Sequence, residues 1–166
     1  MKTNISSLMN LISEEEKNFT SNSYLVKTHA TNTSIEELDG RITIIEDNKE
    51  DFNLALNEIE GSTKELSRLK SILYEKNNQF KLSDGRSIQQ AIVDNTNLRK
   101  LKSSYESLII YKNSKKRYTE VNNSYFECNT INFDSKKIRD RINELDNKIQ
   151  KTDFEISKLN SLEFEI

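Results

Sequence analysis

The stretch Ser34-Ile35-Glu36-Glu37-Leu38-Asp39-Gly40-Arg41-Ile42-Thr43-Ile44-Ile45 decides the fold, because it can be read in two ways. Ser34 with Glu37 spells a capping box, in which each side chain satisfies a free backbone N–H at a helix start. Ile35, Leu38, Ile42 and Ile45 then follow at the alternating three- and four-residue steps of a helical stripe. The stripe continues through Lys49, Phe52, Leu56, Ile59, Thr63, Leu66, Lys70 and Leu73, and nine of its twelve positions are apolar. The competing reading is a short strand at Ile42-Thr43-Ile44-Ile45. Gly40 and Gly61 each cost a helix about 1 kcal/mol relative to alanine, and Ser62 with Glu65 offers a fresh cap after Gly61. The unbroken phase favours one helix over about 35–78, roughly 65 Å long at ~1.5 Å per residue.

Outward from this stretch, Ile5, Leu8, Met9, Ile12, Phe19 and Val26 predict a first helix over about 4–28, followed by an aperiodic loop, His29 to Ser34. Asp84-Gly85 is a turn signal, and Ser87 with Gln90 caps a third helix over about 87–114. Its stripe is Ile88, Ala91, Asn95, Leu98, Tyr105 and Ile109. Residues 115–133 are rich in aromatic and β-branched side chains without helical period, which reads as a loop or small hairpin near 117–133. Asp134 or Ser135 caps a last helix over about 135–160, striped by Ile138, Ile142, Leu145, Ile149, Thr152, Ile156 and Leu159. Four helices with short connections predict an all-α antiparallel bundle or coiled coil with one long second helix, in a single domain over 1–166. The heptads form no tandem sequence repeat, so a solenoid is not expected.

Composition sets the same frame. The hydrophobic set is 34% and charged residues are 31%, with no proline and three glycines. So little apolar material cannot fill a thick core, but it can line helices that each bury one narrow stripe, often against another copy of the chain. A homo-oligomer is therefore expected. The net charge of −2 is unevenly spread: residues 1–60 carry 5 Lys/Arg against 12 Asp/Glu, and residues 61–119 carry 13 against 5. Either the two segments attract each other, or the middle one holds an anion.

The chemistry of common active sites is missing from the sequence. A single histidine, His29, and a single cysteine, Cys128, supply neither a zinc set nor a carboxylate-bridged metal pair, and no Cys-His or Ser-His-Asp arrangement avoids His29. Phosphate-cradling glycine loops are absent. The expectation is a protein that is not an enzyme and has no metal or cofactor. The lone cysteine, the absence of an apolar leader, and a longest apolar run of Leu108-Ile109-Ile110-Tyr111 point to a reducing, cytoplasmic setting without membrane insertion.

One place stands out for a ligand. Asp84, Gly85, Arg86 and Ser87 precede a helix N-terminus, whose free N–H groups and dipole favour anions, and Arg86 offers a bidentate fork. Arg99, Lys100, Arg117 and Tyr118 follow as further candidates. The competing reading is a capped turn whose Arg86 pairs with a carboxylate of the acidic first half. Lys112, Lys115, Lys116 and Arg117 with Tyr111 and Tyr118 form a basic run, but a sequence pI of about 5.6 gives no strong nucleic-acid signal.

Leu82-x-Asp84-Gly85-Arg86-Ser87-x-x-x-Ala91, Leu98-Arg99 and Leu145-Asp146-x-Lys148-Ile149-Gln150 resemble a pattern in small bacterial proteins labelled septicolysin-like, over about residues 66–159. The resemblance implies a helical fold, and its label adds membrane action as one reading. Asp84, Gly85, Arg86, Arg99 and Gln150 are the matching polar positions. The leading expectation is a non-enzymatic helical oligomer that sequesters a small anionic, nucleotide-type ligand at subunit contacts. The alternatives are an adaptor coiled coil that binds a partner helix and a membrane-active septicolysin-like protein.

Overall fold

The computed structural model describes residues 2–166. It holds four helices and six short strands among the described residues, in the order β1 (Lys2–Thr3), α1 (Ile5–Thr28), β2 (Thr33–Glu36), β3 (Ile42–Glu46), α2 (Lys49–Gln79), α3 (Ile88–Glu106), β4 (Ser114–Glu120), β5 (Asn123–Asn129), α4 (Ser135–Asn160) and β6 (Phe164–Glu165). The strands pair antiparallel as β1–β6, β2–β3 and β4–β5. The fold is therefore α+β, and the all-α expectation is corrected. No described helix is long and apolar enough to cross a membrane.

Two compact units divide the chain, one running to Gln79 and taking in Asn160–Ile166, the other Phe80–Leu159. The element order helix, β-hairpin, helix occurs in both: α1, β2–β3, α2 and then α3, β4–β5, α4. An asparagine fastens the base of each hairpin. Asn32, just before β2, accepts through Oδ1 from the N–H of Asn48 at 2.8 Å. Asn113, just before β4, accepts in the same way from the N–H of Ile131, also at 2.8 Å. In each case the donor lies two residues past the end of the second strand. His29 joins the first base, with Nδ1 3.2 Å from Asn48 Oδ1.

The stretch 34–45 is where the helical expectation for 35–78 fails. Thr33, Ile35, Ile42, Thr43, Ile44 and Ile45 are β-branched and suit a pleated strand better than a helix. Gly40 has φ +83°, a left-handed value that ends any helix there and closes the turn between β2 and β3. Ser34 thus pairs with Ile44 in a ribbon and caps nothing. Beyond the turn, α2 runs unbroken through Gly61 and Ser62. The third helix likewise stops at Glu106, short of the expected 114, and the aperiodic stretch after it forms the β4–β5 hairpin.

The remaining helices follow their stripes. Asn4 caps α1 by accepting from the N–H of Ser7, and Ser87 caps α3 by accepting from that of Gln90. Asp134 caps α4, its Oδ1 accepting from the N–H of Lys136 at 2.8 Å. Ile5, Leu8 and Ile12 are buried as expected, with Leu8 and Ile12 packed on Leu69 and flanked by Leu11, Leu66, Ile72, Leu73 and Phe164. On α2 the buried line is Ala55, Ser62 and Leu69, one residue before the expected Leu56, Thr63 and Lys70. The small side chains at 55 and 62 let a neighbouring backbone come close, which Leu56 would not. Leu69→Ala is expected to destabilise the first unit by about 2–5 kcal/mol, and Leu56→Ala by less than about 1 kcal/mol. Denaturant titration followed by hydrogen exchange on α1 and α2 measures both, and equal losses would refute this seam.

Candidate functional site

In the second unit, the corner before α3 is built by its own backbone. The N–H of Leu82 donates to the Arg86 carbonyl at 2.8 Å, and that of Gly85 to the Leu82 carbonyl at 3.0 Å. Gly85 takes φ +87°. The Arg86 N–H and Nε donate to the two oxygens of Asp84 at 3.1 and 2.9 Å. The rest of the guanidinium reaches Asp94 at 2.7 Å and the Thr152 hydroxyl at 3.5 Å. The hydrogen bonds to Asp84 first, then to Asp94, raise the Arg86 pKa further, and Arg86 in turn holds the Asp84 carboxyl below the usual carboxylate range. The capped-turn reading of Arg86 gains its partners here, but Asp84 and Asp94 come from its own unit and not from the acidic first half.

The same triplet occurs at Asp39-Gly40-Arg41, and sequence reading had not connected the two. There the N–H of Gly40 donates to the Glu37 carbonyl and that of Glu37 to the Arg41 carbonyl, both at 2.8 Å. Arg41 donates to Asp39 through N–H and Nε at 3.1 and 2.7 Å. Asp-Gly-Arg is thus a self-contained turn: Gly supplies the left-handed residue, and Asp binds both the backbone and the side chain of the Arg that follows.

Along α3 two further cations are engaged. Arg99 makes a two-oxygen contact with Asp153 at 2.8 and 2.6 Å, and Lys102 meets Asp146 at 2.6 Å. Asp146 also accepts from the Gln150 amide at 2.7 Å. Between them Asn95, 1% exposed, donates to the Ile149 carbonyl at 3.1 Å and to Asp153 at 2.9 Å. These groups pin α3 to α4 in one register. In the sequence Asn95 is one position of the stripe of this helix, and the carboxylates of Asp94, Asp146 and Asp153 carry no local sign of the cations they meet.

The candidate residues therefore do not converge. Asp84, Gly85, Arg86 and Ser87 form the corner, Arg99 and exposed Lys100 lie midway along α3, and Arg117 and Tyr118 lie on β4, beyond its far end. Nineteen residues of helix separate the corner from that end, roughly 29 Å at ~1.5 Å per residue. A cleft of about 210 Å³ beside the corner is lined by Lys81, Leu82, Ser83, Glu155, Lys158 and Leu159. Across it the N–H and hydroxyl of Ser83 donate to Glu155 at 3.0 and 2.8 Å, which lowers the Glu155 pKa.

The second unit's hairpin is a different surface. Lys115, Lys116 and Arg117 on β4 form no ion pair among the described residues. Opposed residues of a ribbon share a face, so Lys115, Arg117, Phe126 and Cys128 lie on one side and Lys116, Tyr118, Tyr125 and Glu127 on the other. Lys115 sits 4.3 Å from the Phe126 ring centre, and the Tyr118 and Tyr125 rings stack 5.5 Å apart. In the first unit the ribbon carries Ser34, Glu36, Ile42 and Ile44 on one face. Both ribbons are exposed along nearly their whole length.

The chain belongs to the family of unknown function DUF6847, which matches residues 29–162. It is also similar to a solved structure described as a functionally unknown conserved protein from Corynebacterium diphtheriae. The TM-score is 0.67 over 99% of this chain and 100% of that one, at 17% identity, which shows the fold alone. Among curated proteins nothing matches the chain. The resemblance to septicolysin-like proteins is overturned by these findings, since neither the family nor the structural relative points to that group. The reading of membrane action, which rested on that label, goes with it.

Asp84 and Glu155 both have pKa values lowered on folding. Such groups stabilise the fold above the unfolded carboxylate pKa of ~4 and lose that contribution as pH falls toward their lowered values. Hydrogen-exchange protection over residues 80–88 is expected to fall with pH in that acid range. Asp84→Asn combined with Glu155→Gln should flatten this dependence, and an unchanged acid limb would show that these carboxylates do not hold the corner.

Proposed function

We propose that this protein is a non-enzymatic homo-oligomer whose copies join through the two β-ribbons, with the paired helices as the frame that carries them. The observation behind this reading is the exposure of the ribbons' apolar residues: Ile35 55%, Ile42 66%, Ile44 60% and Phe126 56%. An isolated two-stranded ribbon is marginally stable in water, and its unpaired edges attract further strands. Apolar side chains exposed on the faces of such ribbons mark an interaction surface. The corner at Arg86 supports the same reading from the other side. Its guanidinium is spent on Asp84, Asp94 and Thr152, so capture of an anion there would have to displace bonds already made.

Light scattering on the eluting protein is expected to give a multiple of the 19.4 kDa chain mass. Ile42→Lys with Ile44→Lys should shift that mass toward a single chain while circular dichroism keeps its helical signal, because neither residue packs on a helix. A wild-type protein that runs as a single chain would refute the assembly reading.

A further inference from the structure

The two ribbons differ in charge as well as sequence. Over residues 33–46 the first carries Glu36, Glu37, Asp39 and Glu46 against Arg41 alone. Arg41 already pairs with Glu37 and Asp39, at 3.0 and 2.7 Å, which leaves Glu36 and Glu46 without an ion pair among the described residues. The second ribbon carries Lys115, Lys116 and Arg117 against Glu120 and Glu127, none of them in an ion pair among the described residues, and both glutamates share the face of Lys116, so the face of Lys115 and Arg117 is purely basic. Each ribbon also has one face on which unpaired charge of a single sign lies beside exposed apolar groups. On the first that face is Glu36 with Ile42 and Ile44, and on the second it is Lys115 and Arg117 with Phe126.

Resting on the assembly reading, we infer that the Glu36–Ile42–Ile44 face of one copy docks on the Lys115–Arg117–Phe126 face of another. Two ribbons packed face to face lie about 10 Å apart with their side chains interdigitated. At that distance the isoleucines cover the exposed edge of Phe126, and the Glu36 carboxylate reaches the two cations. Opposite charges on matching faces fix which ribbon meets which, because like ribbons would place carboxylate on carboxylate or cation on cation. Every copy offers one acidic and one basic ribbon, so all ribbons are satisfied only when the assembly closes, as a reciprocal pair or as a ring. The second copy is preferred to a nucleic acid as occupant because the complementary acidic, apolar face is present on the same chain.

The test is a charge exchange read by light scattering and sedimentation. Glu36→Lys alone, and Lys115→Glu with Arg117→Glu, should each weaken self-association by about tenfold or more. An equimolar mixture of these two variants should reassemble, since each then meets a ribbon of opposite charge; reassembly also shows that both variants are folded. Lys116→Glu, on the opposite face, should leave assembly unchanged. Assembly that ignores the exchanges, a mixture that stays apart, or a Lys116→Glu effect as large as the others overturns the docking. In the first case an oligomeric wild type still keeps the assembly reading, whereas a monomeric wild type ends both. Binding of a single-stranded oligonucleotide that is lost in Lys115→Glu with Arg117→Glu, while the mass of the protein does not depend on those residues, assigns the ribbon to nucleic acid and also overturns it.

Discussion

Each helix owns a single apolar stripe, and covering it is the constraint from which the rest of the structure follows. On α1 the stripe is Ile5, Leu8 and Ile12, and Leu69 of α2 meets Leu8 and Ile12. On α4 it is Leu145, Ile149 and Thr152. Such a seam stabilises through exclusion of water, but it is slippery, because a stripe of similar residues fits its neighbour in more than one register. In the second unit the polar groups remove that freedom. Asn95 finds its partners at Ile149 and Asp153 only in one alignment, and Arg99 and Lys102 add carboxylates at fixed distances along the helix. The exposed ion pairs contribute little energy individually, and their role is to select one arrangement of a contact that the apolar stripe leaves open.

Much of the helical part was legible in the sequence, because burial on one side of a helix imposes a period that no other element shares. The bounds of α1 and α4 and the caps at Ser87 and Asp134 follow from this. The stretch 34–45 misled because Ile35, Leu38, Ile42 and Ile45 satisfy a helical period by coincidence, while the backbone preference of the isoleucines and the freedom of Gly40 favour a turn between strands. Period is informative where a face is buried. These ribbons bury neither face, so nothing in their hydrophobic pattern had to agree with their conformation, and only β-branching and Asp39-Gly40 carried the signal.

The candidate site shows the same limit. Asp84-Gly85-Arg86 was visible as a turn with a cation, but whether the cation faces outward depends on Asp94 and Thr152, which lie 8 and 66 residues away. The second occurrence, at residues 39–41, was the one local clue that the triplet builds its own turn. Charge asymmetry along the chain was legible too, though its meaning changed. Arg99 and Lys102 of α3 are paired within their own unit, whereas Lys115, Lys116 and Arg117 of the second ribbon form no ion pair among the described residues.

Asn32 and Asn113 give the ribbons a property of a different order. Each ties the two legs of its hairpin together at the hairpin's base, so the exposed strands beyond form an appendage on a closed ring and not part of the packed interior. Mutation there can wander without reaching the helical frame. A lineage of such chains would be expected to diverge fastest in its ribbons while the scaffold beneath stays the same.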